Sequence, residues 1–202
     1  MKNKKFAPLK VGFDFDGVIA YNPLRVIRPL MSFLKLKKMV KRDQLVFFQP
    51  SNAFEEFAWW AVHQSSFMPA SGFNILKQLT KAGLIEAHLL TGRTTSLTKD
   101  LKLKLHMFGL GDLFKTVNIT ARNEQPHLFK SRLLKEYDLD LFVEDNFDIV
   151  QFLKIHNPET KICWITNSLD KHIEYDQKFD SFKDFLIQLQ TDLLLKETKG
   201  SV

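Results

Sequence analysis

The chain has 202 residues, 45% hydrophobic and 26% charged, a formal net charge of +6 and one cysteine. Those proportions exclude a coiled coil and a disordered chain, and the length suits one sizeable core with a small embellishment rather than two full domains. Lone Cys163 rules out an internal disulfide or a cysteine-built metal cluster, the positive balance favours anionic partners in general, and no apolar run approaches the roughly 18 residues that span a bilayer.

The opening MKNKKFAPLKVGFDFDG is basic, and Lys10 interrupts its apolar stretch. No secretory leader is expected, and the cytoplasm is the expected compartment. From Lys10 to Asp14 the chain reads as a buried strand, and VGFDFDGVIA then sets Asp14 and Asp16 one residue apart before Gly17. Side chains two apart on a strand face the same way, so both carboxylates can address one site if the extended geometry persists. Gly17 allows the sharp turn and the close approach of a ligand. Two such near charges repel, and a divalent cation or a shared proton relieves them. An all-oxygen set of this kind suits magnesium, which keeps waters and takes one or two carboxylates plus a substrate phosphate.

Residues 21–68 interrupt the pattern, being too long for an ordinary connection and too patterned for a linker. Within them RVIRPLMSFLKLKKMVKR puts Phe33, Leu36 and Val40 at helical spacing between lysines. A solvated helix face opposite a packed one is the simpler reading of that segment, against a membrane or nucleic-acid patch. Trp59, Trp60 and His63 suit either a stacking platform for a base or sugar or, more simply, the core of a small helical cap over the strand ends.

Regular alternation follows. Ser71 can cap a helix running to Lys81, with Phe73, Leu76 and Leu79 on one face and Gly83 as its stop. LIEAHLL reads as a strand ending at Thr91, Gly92 and Arg93, and 95–107 as a helix with Leu97, Leu101 and Leu105 every fourth residue. KTVNIT is a strand, 128–137 a helix, LDLFVED a strand running into Glu144 and Asp145, and 147–156 a helix. KICWIT, holding Cys163, is a strand, and 182–195 an amphipathic closing helix before a loose tail. His88 falls inside a strand and is expected to be packed. Strands alternating with helices predict a doubly wound parallel α/β sheet, with ligands at the carboxyl ends of its strands.

At those ends the sequence gathers Asp14 and Asp16, Thr91, Lys130 near a helix start, and the acidic cluster Glu144, Asp145 and Asp148. Together they supply a metal site, a nucleophile, a proton donor and phosphate-binding groups, which phosphoryl transfer requires. Taken singly, Thr91 also suits a tight turn, Lys130 a solvated helix face, and Arg93 either a phosphate contact or an ion pair.

In order, FDFDGVI, LLTGR, Lys130 and FVEDNFD resemble the four motifs of the haloacid dehalogenase superfamily in its phosphatase branch, which includes deoxyribonucleotidases. The likeness covers the α/β core, 1–20 and 69–202, and leaves the insert, 21–68, as a cap of the family's first type. It implies that Asp14 attacks phosphorus and becomes an aspartyl-phosphate. Asp16 would protonate the leaving oxygen and then activate water; threonine or alanine stands there in the ion-pump and phosphonate-cleaving branches. Thr91 and Lys130 would hold the phosphoryl oxygens, with Gly92 and Arg93 beside them. Asp14, the backbone carbonyl of Asp16, and Asp145 would bind Mg2+, with Glu144 as alternate ligand and Asp148 orienting Lys130 or a metal-bound water. The pair Glu144–Asp145 departs from the usual fourth motif of two aspartates or a glycine and aspartate. The implied substrate is a small phosphorylated metabolite, a nucleoside monophosphate or a sugar phosphate. A polynucleotide end phosphatase and a catalytically silent binding protein are the alternatives.

Overall fold

The computed structural model describes residues 7–22, 45–47, 52–121, 124–167 and 170–199. The helix expected around Phe33, Leu36 and Val40 lies outside them. The described chain runs β1 (Leu9–Phe13), β2 (Ala20–Tyr21), α1 (Ala53–Gln64), β3 (Met68–Pro69), α2 (Phe73–Lys81), β4 (Ile85–Thr94) and, after a 3-10 turn, α3 (Thr98–Met107). It continues β5 (Thr116–Thr120), α4 (Pro126–Glu136), β6 (Leu141–Glu144), α5 (Phe147–His156), β7 (Lys161–Ile165), β8 (Lys178–Phe179) and α6 (Phe182–Lys199).

Six strands form one sheet in the order β5-β4-β1-β6-β7-β8, every pairing parallel. Alternation along each strand assigns its residues to two cores. Val11, Phe13, Ala87, Leu89, Val143 and Cys163 pack with Leu76 and Leu79 of α2, Leu101 and Leu105 of α3, and Phe182, Phe185 and Leu186 of α6. Their neighbours Leu90, Phe142, Ile162 and Trp164 face the other way, onto Phe129, Leu133 and Leu134 of α4 and Ile149, Val150 and Leu153 of α5. Apolar burial on both faces explains why these strands read as near-continuous apolar runs, as parallel strands covered by helices do. Gly12 permits the close packing on the second face. A Cβ built there would lie 2.7 Å from a Leu139 methyl and 2.8 Å from the Phe142 ring.

Register positions the site. Phe13 pairs with Leu89 on one side and Val143 on the other, and the Asp14 amide donates to the Val143 carbonyl at 2.9 Å. β1 therefore delivers Asp14 level with Glu144, and the carboxyl ends of β4, β1 and β6 meet along one edge. Gly17 takes a φ of 90°, reserved almost wholly for glycine, in the turn after Asp16.

Several details depart from the sequence reading. The strands and helices expected within the described residues all occur, with ends shifted by a few positions. Ser71 does not cap α2; Gly72 holds that place at φ 102° with no side-chain cap, because the chain must turn tightly against α6, where Lys183 and Leu186 crowd it. β4 does not stop at Arg93 but continues to Thr94 through a register shift against β5. Two short ladders carried no signal: β8, and the antiparallel pair β2–β3 that joins Tyr21 to Met68 on either side of the insert. Two-residue strands have no periodicity to read.

Candidate active site

Asp14, Lys130, Glu144 and Asp145 form one buried cluster. Lys130 projects from α4 with its Nζ 3.0 Å from Asp14 Oδ1 and 2.6 Å from Glu144 Oε2, lying over the Phe142 ring. Glu144 ends β6 and is 1% exposed. Its Oε1 accepts from the Asp145 and Asn146 amides at 3.2 and 3.0 Å, so its two oxygens are engaged by the turn and by Lys130. Asn146 caps α5, its side chain accepting from the Asp148 amide, and the Trp164 indole donates to the Asp145 carbonyl at 3.2 Å. Local sequence thus fixes the turn that carries Asp145.

The electrostatics of the cluster follow from burial. Loss of water pushes the Asp14 carboxyl well above the usual carboxylate range; Lys130 opposes that, while Glu144, Asp145 and Asp16 add to it. Burial likewise raises Glu144 against the pull of Lys130. For Lys130 burial works toward loss of its proton, but Asp14 and Glu144 outweigh it and hold the ammonium above its ordinary value.

Carboxylate oxygens of Asp14, Glu144 and Asp145 all lie within 4.8 Å of one another. Three buried acids face one ammonium, which leaves an excess of negative charge that burial already resists. A hard divalent cation fits such a set, since it takes carboxylate oxygens and offsets that excess. Lys130 engages Glu144 and Asp14 by one oxygen each.

Asp16 faces a different environment. Its carboxylate receives Arg93 Nε at Oδ2 and Nη2 at Oδ1, both at 2.8 Å, and His63 Nε2 stands 3.9 Å from Oδ2. Burial alone would raise this carboxyl. The charge and hydrogen bonds of Arg93 outweigh burial, with His63 adding to them, and hold it far below the usual range. Arg93 also donates from Nη1 to Asp100 Oδ2 at 2.6 Å. The side chain of Asp16 is outside the three-carboxylate group.

Thr91 is buried at the β4 end, its hydroxyl accepting from the Arg93 amide at 3.2 Å and its carbonyl receiving Thr120 Oγ1 at 3.1 Å. Gly92 lies against Pro126 at the start of α4, where a Cβ would come within 3.3 Å. Of the two readings of Arg93, the ion pair is the one present. Asp148, expected to orient Lys130 or a metal-bound water, is exposed in the first turn of α5, and the carboxylates that Lys130 meets are those of Asp14 and Glu144. His88 is packed, bonded to Thr116 and Glu86. Cys163 is buried, its thiol pushed up to about 12 by loss of water.

The insert contributes what sequence reasoning missed. His63, expected among the aromatics of the cap, also reaches Asp16 from α1; its ring lies 4.7 Å from that of Trp59. Lys104 of α3, outside the insert, is a buried ammonium bonded to the His63 carbonyl at 3.0 Å and paired with Asp100, and the sequence reading assigns it no role. Its spacing four residues after Asp100 was the one available signal. Trp60 and Phe57 stack on each other at 5.7 Å and are largely exposed, so these two do not form a closed core among the described residues.

No protein-family model matches the chain, and no curated protein is similar enough in sequence to match. Solved structures do match. YfnB of Bacillus subtilis, named as a HAD hydrolase and bound to magnesium, is 12% identical with a TM-score of 0.58, covering 93% of this chain and 99% of that one. CbbY of Rhodobacter sphaeroides in complex with phosphate is 15% identical, TM-score 0.56, covering 88% and 96%. A haloacid dehalogenase-like family hydrolase of Xanthomonas campestris is 10% identical, TM-score 0.53, covering 99% and 97%. The chain has the fold of HAD-superfamily hydrolases. No helix among the described residues is long and apolar enough to cross a membrane.

Proposed function

We propose that this chain is a magnesium-dependent phosphatase that hydrolyses a small phosphomonoester through an aspartyl-phosphate on Asp14. The observation that carries the reading is the buried cluster in which Lys130 stands 3.0 Å from the Asp14 carboxylate, with Asp145 and Glu144 alongside, at the carboxyl edge of a parallel sheet. Lys130 and Thr91 hold and neutralise the phosphoryl oxygens. Asp14 Oδ attacks phosphorus as the ionised carboxylate, the bond to the leaving oxygen breaks, and that oxygen takes a proton from Asp16, which must first have bound one from water against the pull of Arg93. Asp16 then accepts a proton from the water that attacks phosphorus, which frees Asp14 and inorganic phosphate. Asp14, Asp145 and the Asp16 carbonyl would hold Mg2+, which supplies charge neutralisation on the transferring group; Glu144 serves Lys130. YfnB was solved with magnesium and CbbY with phosphate, which supports both halves of the reading. Residues 21–68 form the cap over a core of 1–20 and 69–202.

The test is phosphate release from a broad panel of phosphorylated metabolites by metal-replete protein, with Asp14→Asn as the control. Hydrolysis that needs Mg2+ and disappears in the variant is expected. No release from any member of the panel overturns the reading. A polynucleotide end as substrate is the second reading, favoured by the formal charge of +6 and the exposed Phe57–Trp60 stack. Steep loss of activity with salt distinguishes it, since a polyanion releases counterions on binding and a metabolite does not.

A further inference from the structure

Arg93 has no solvent exposure, and its guanidinium is already engaged. One edge grips Asp16 through Nε and Nη2, Nη1 donates to Asp100, and Nη2 also reaches the His63 carbonyl at 3.2 Å. Of the five hydrogens a guanidinium carries, one remains. The Phe15 ring lies 4.6 Å from the guanidinium carbon. An arginine that gripped a phosphoryl group would offer it the two-pronged edge, because that edge matches a planar pair of oxygens. Here a carboxylate of the same chain fills it.

The His63 carbonyl belongs to the last turn of α1, among the carbonyls that a helix leaves without an internal partner. Arg93 Nη2 and Lys104 Nζ both donate to it, and Gln64 Nε2 donates to Asp100 Oδ1 at 3.2 Å. Two cations also complement the partial negative charge at that helix end. The turn after β1, the end of β4, the start of α3 and the end of α1 thus meet on one guanidinium.

We propose that Arg93 is a positioning residue: it fixes the Asp16 carboxylate and ties the end of α1 to it through the His63 carbonyl, without touching the phosphoryl group. This rests on the reading of Asp16 as the proton donor and acceptor of a phosphatase. Removing Arg93 lets the Asp16 carboxyl leave the line of the leaving oxygen, a loss larger than the easier protonation that follows when the guanidinium no longer holds that carboxyl low; it also loosens α1 and leaves phosphate binding in place.

The experiment compares Arg93→Met and Arg93→Lys on 4-nitrophenyl phosphate, whose leaving group departs without a proton, and on glycerol 2-phosphate, whose leaving group needs one. For Arg93→Met, kcat falls about 100-fold on glycerol 2-phosphate and less than about fivefold on the nitrophenyl ester, with KM kept within about threefold. Arg93→Lys, which keeps the charge but cannot span both oxygens, lies between. Equal losses of kcat on both esters, or a tenfold or greater rise in KM with kcat kept, overturn the proposal. Amide exchange over residues 59–64, followed by mass spectrometry without substrate, speeds up about tenfold or more in Arg93→Met; unchanged exchange overturns the tie to α1. If Arg93→Met does not fold, Arg93→Lys is judged by the same comparisons. If the wild-type protein hydrolyses neither ester nor any metabolite, the phosphatase reading falls, and exchange still decides whether Arg93 holds α1.

Discussion

Asp14 and Asp16 are two residues apart in one turn, yet their surroundings drive their carboxyls in opposite directions. Asp14 lies among other buried acids with one ammonium nearby, and its proton is held more tightly than usual. Asp16 is gripped at both oxygens by a buried guanidinium, and its proton is released far more readily. The same residue type, equally short of water, is set apart by which cation arrives and how it is shared. Lys130 is a point charge divided between two acids, whereas Arg93 presents a planar fork to one.

The contrast breaks most visibly in turnover. Asp14→Asn is expected to lower kcat by about 10,000-fold or more in the metabolite assay, as removal of a nucleophile does, while its melting temperature rises, because the variant buries no charge beside Glu144 and Asp145. A variant that is both inactive and less stable would contradict the strained setting of Asp14. Glu144→Gln comes next. It takes the closest carboxylate from Lys130 inside the core, and because loss of that 2.6 Å pair outweighs the burial cost of the Glu144 carboxylate it is expected to lower the unfolding free energy by about 3 kcal/mol in urea titrations. A change under about 1 kcal/mol would mean that Asp14 alone suffices for Lys130.

Acid sharpens the same contrast. A carboxyl held low in the fold, as in Asp16, contributes stability that is complete above the ordinary value of about 3.9 and drains as pH falls toward the folded one. Asp14, held high, costs stability above about pH 4 and regains it on acidification. Urea midpoints are thus expected to show a deficit for Asp16→Asn that is largest near neutrality and narrows by about 1–3 kcal/mol toward pH 3. The advantage of Asp14→Asn should shrink over the same range. Gaps that stay constant with pH would remove the electrostatic account of both residues. The smallest effect belongs to the turn that carries Asp145. Asn146→Ala removes the side-chain cap of α5 and should cost about 1 kcal/mol in thermal unfolding.

The core elements were legible because their periods differ. Runs such as LIEAHLL and LFVE are short and apolar throughout, while Leu97, Leu101 and Leu105 repeat every fourth residue, and only a doubly covered parallel sheet uses both. The edge that gathers Asp14, Thr91 and Glu144 followed from that topology. Short ladders and the Gly72 cap were illegible because they depend on what packs beside them. The roles of Glu144, Arg93 and His63 were illegible for a related reason: each is set by a partner 14 to 77 positions away, and no spacing rule operates over such separations.

The sequence by itself determined the parallel α/β sheet and the placement of two aspartates at the end of its first strand, since apolar period and turn chemistry act locally. Only the tertiary structure decided which cation each aspartate meets. That choice belongs to side chains from α4, β4 and the insert, brought together when burial of both sheet faces fixes the register of β1 between β4 and β6. Charge interactions extend through space rather than along the chain, and in a dry interior they are strong enough to shift the carboxyls of neighbouring residues in opposite directions.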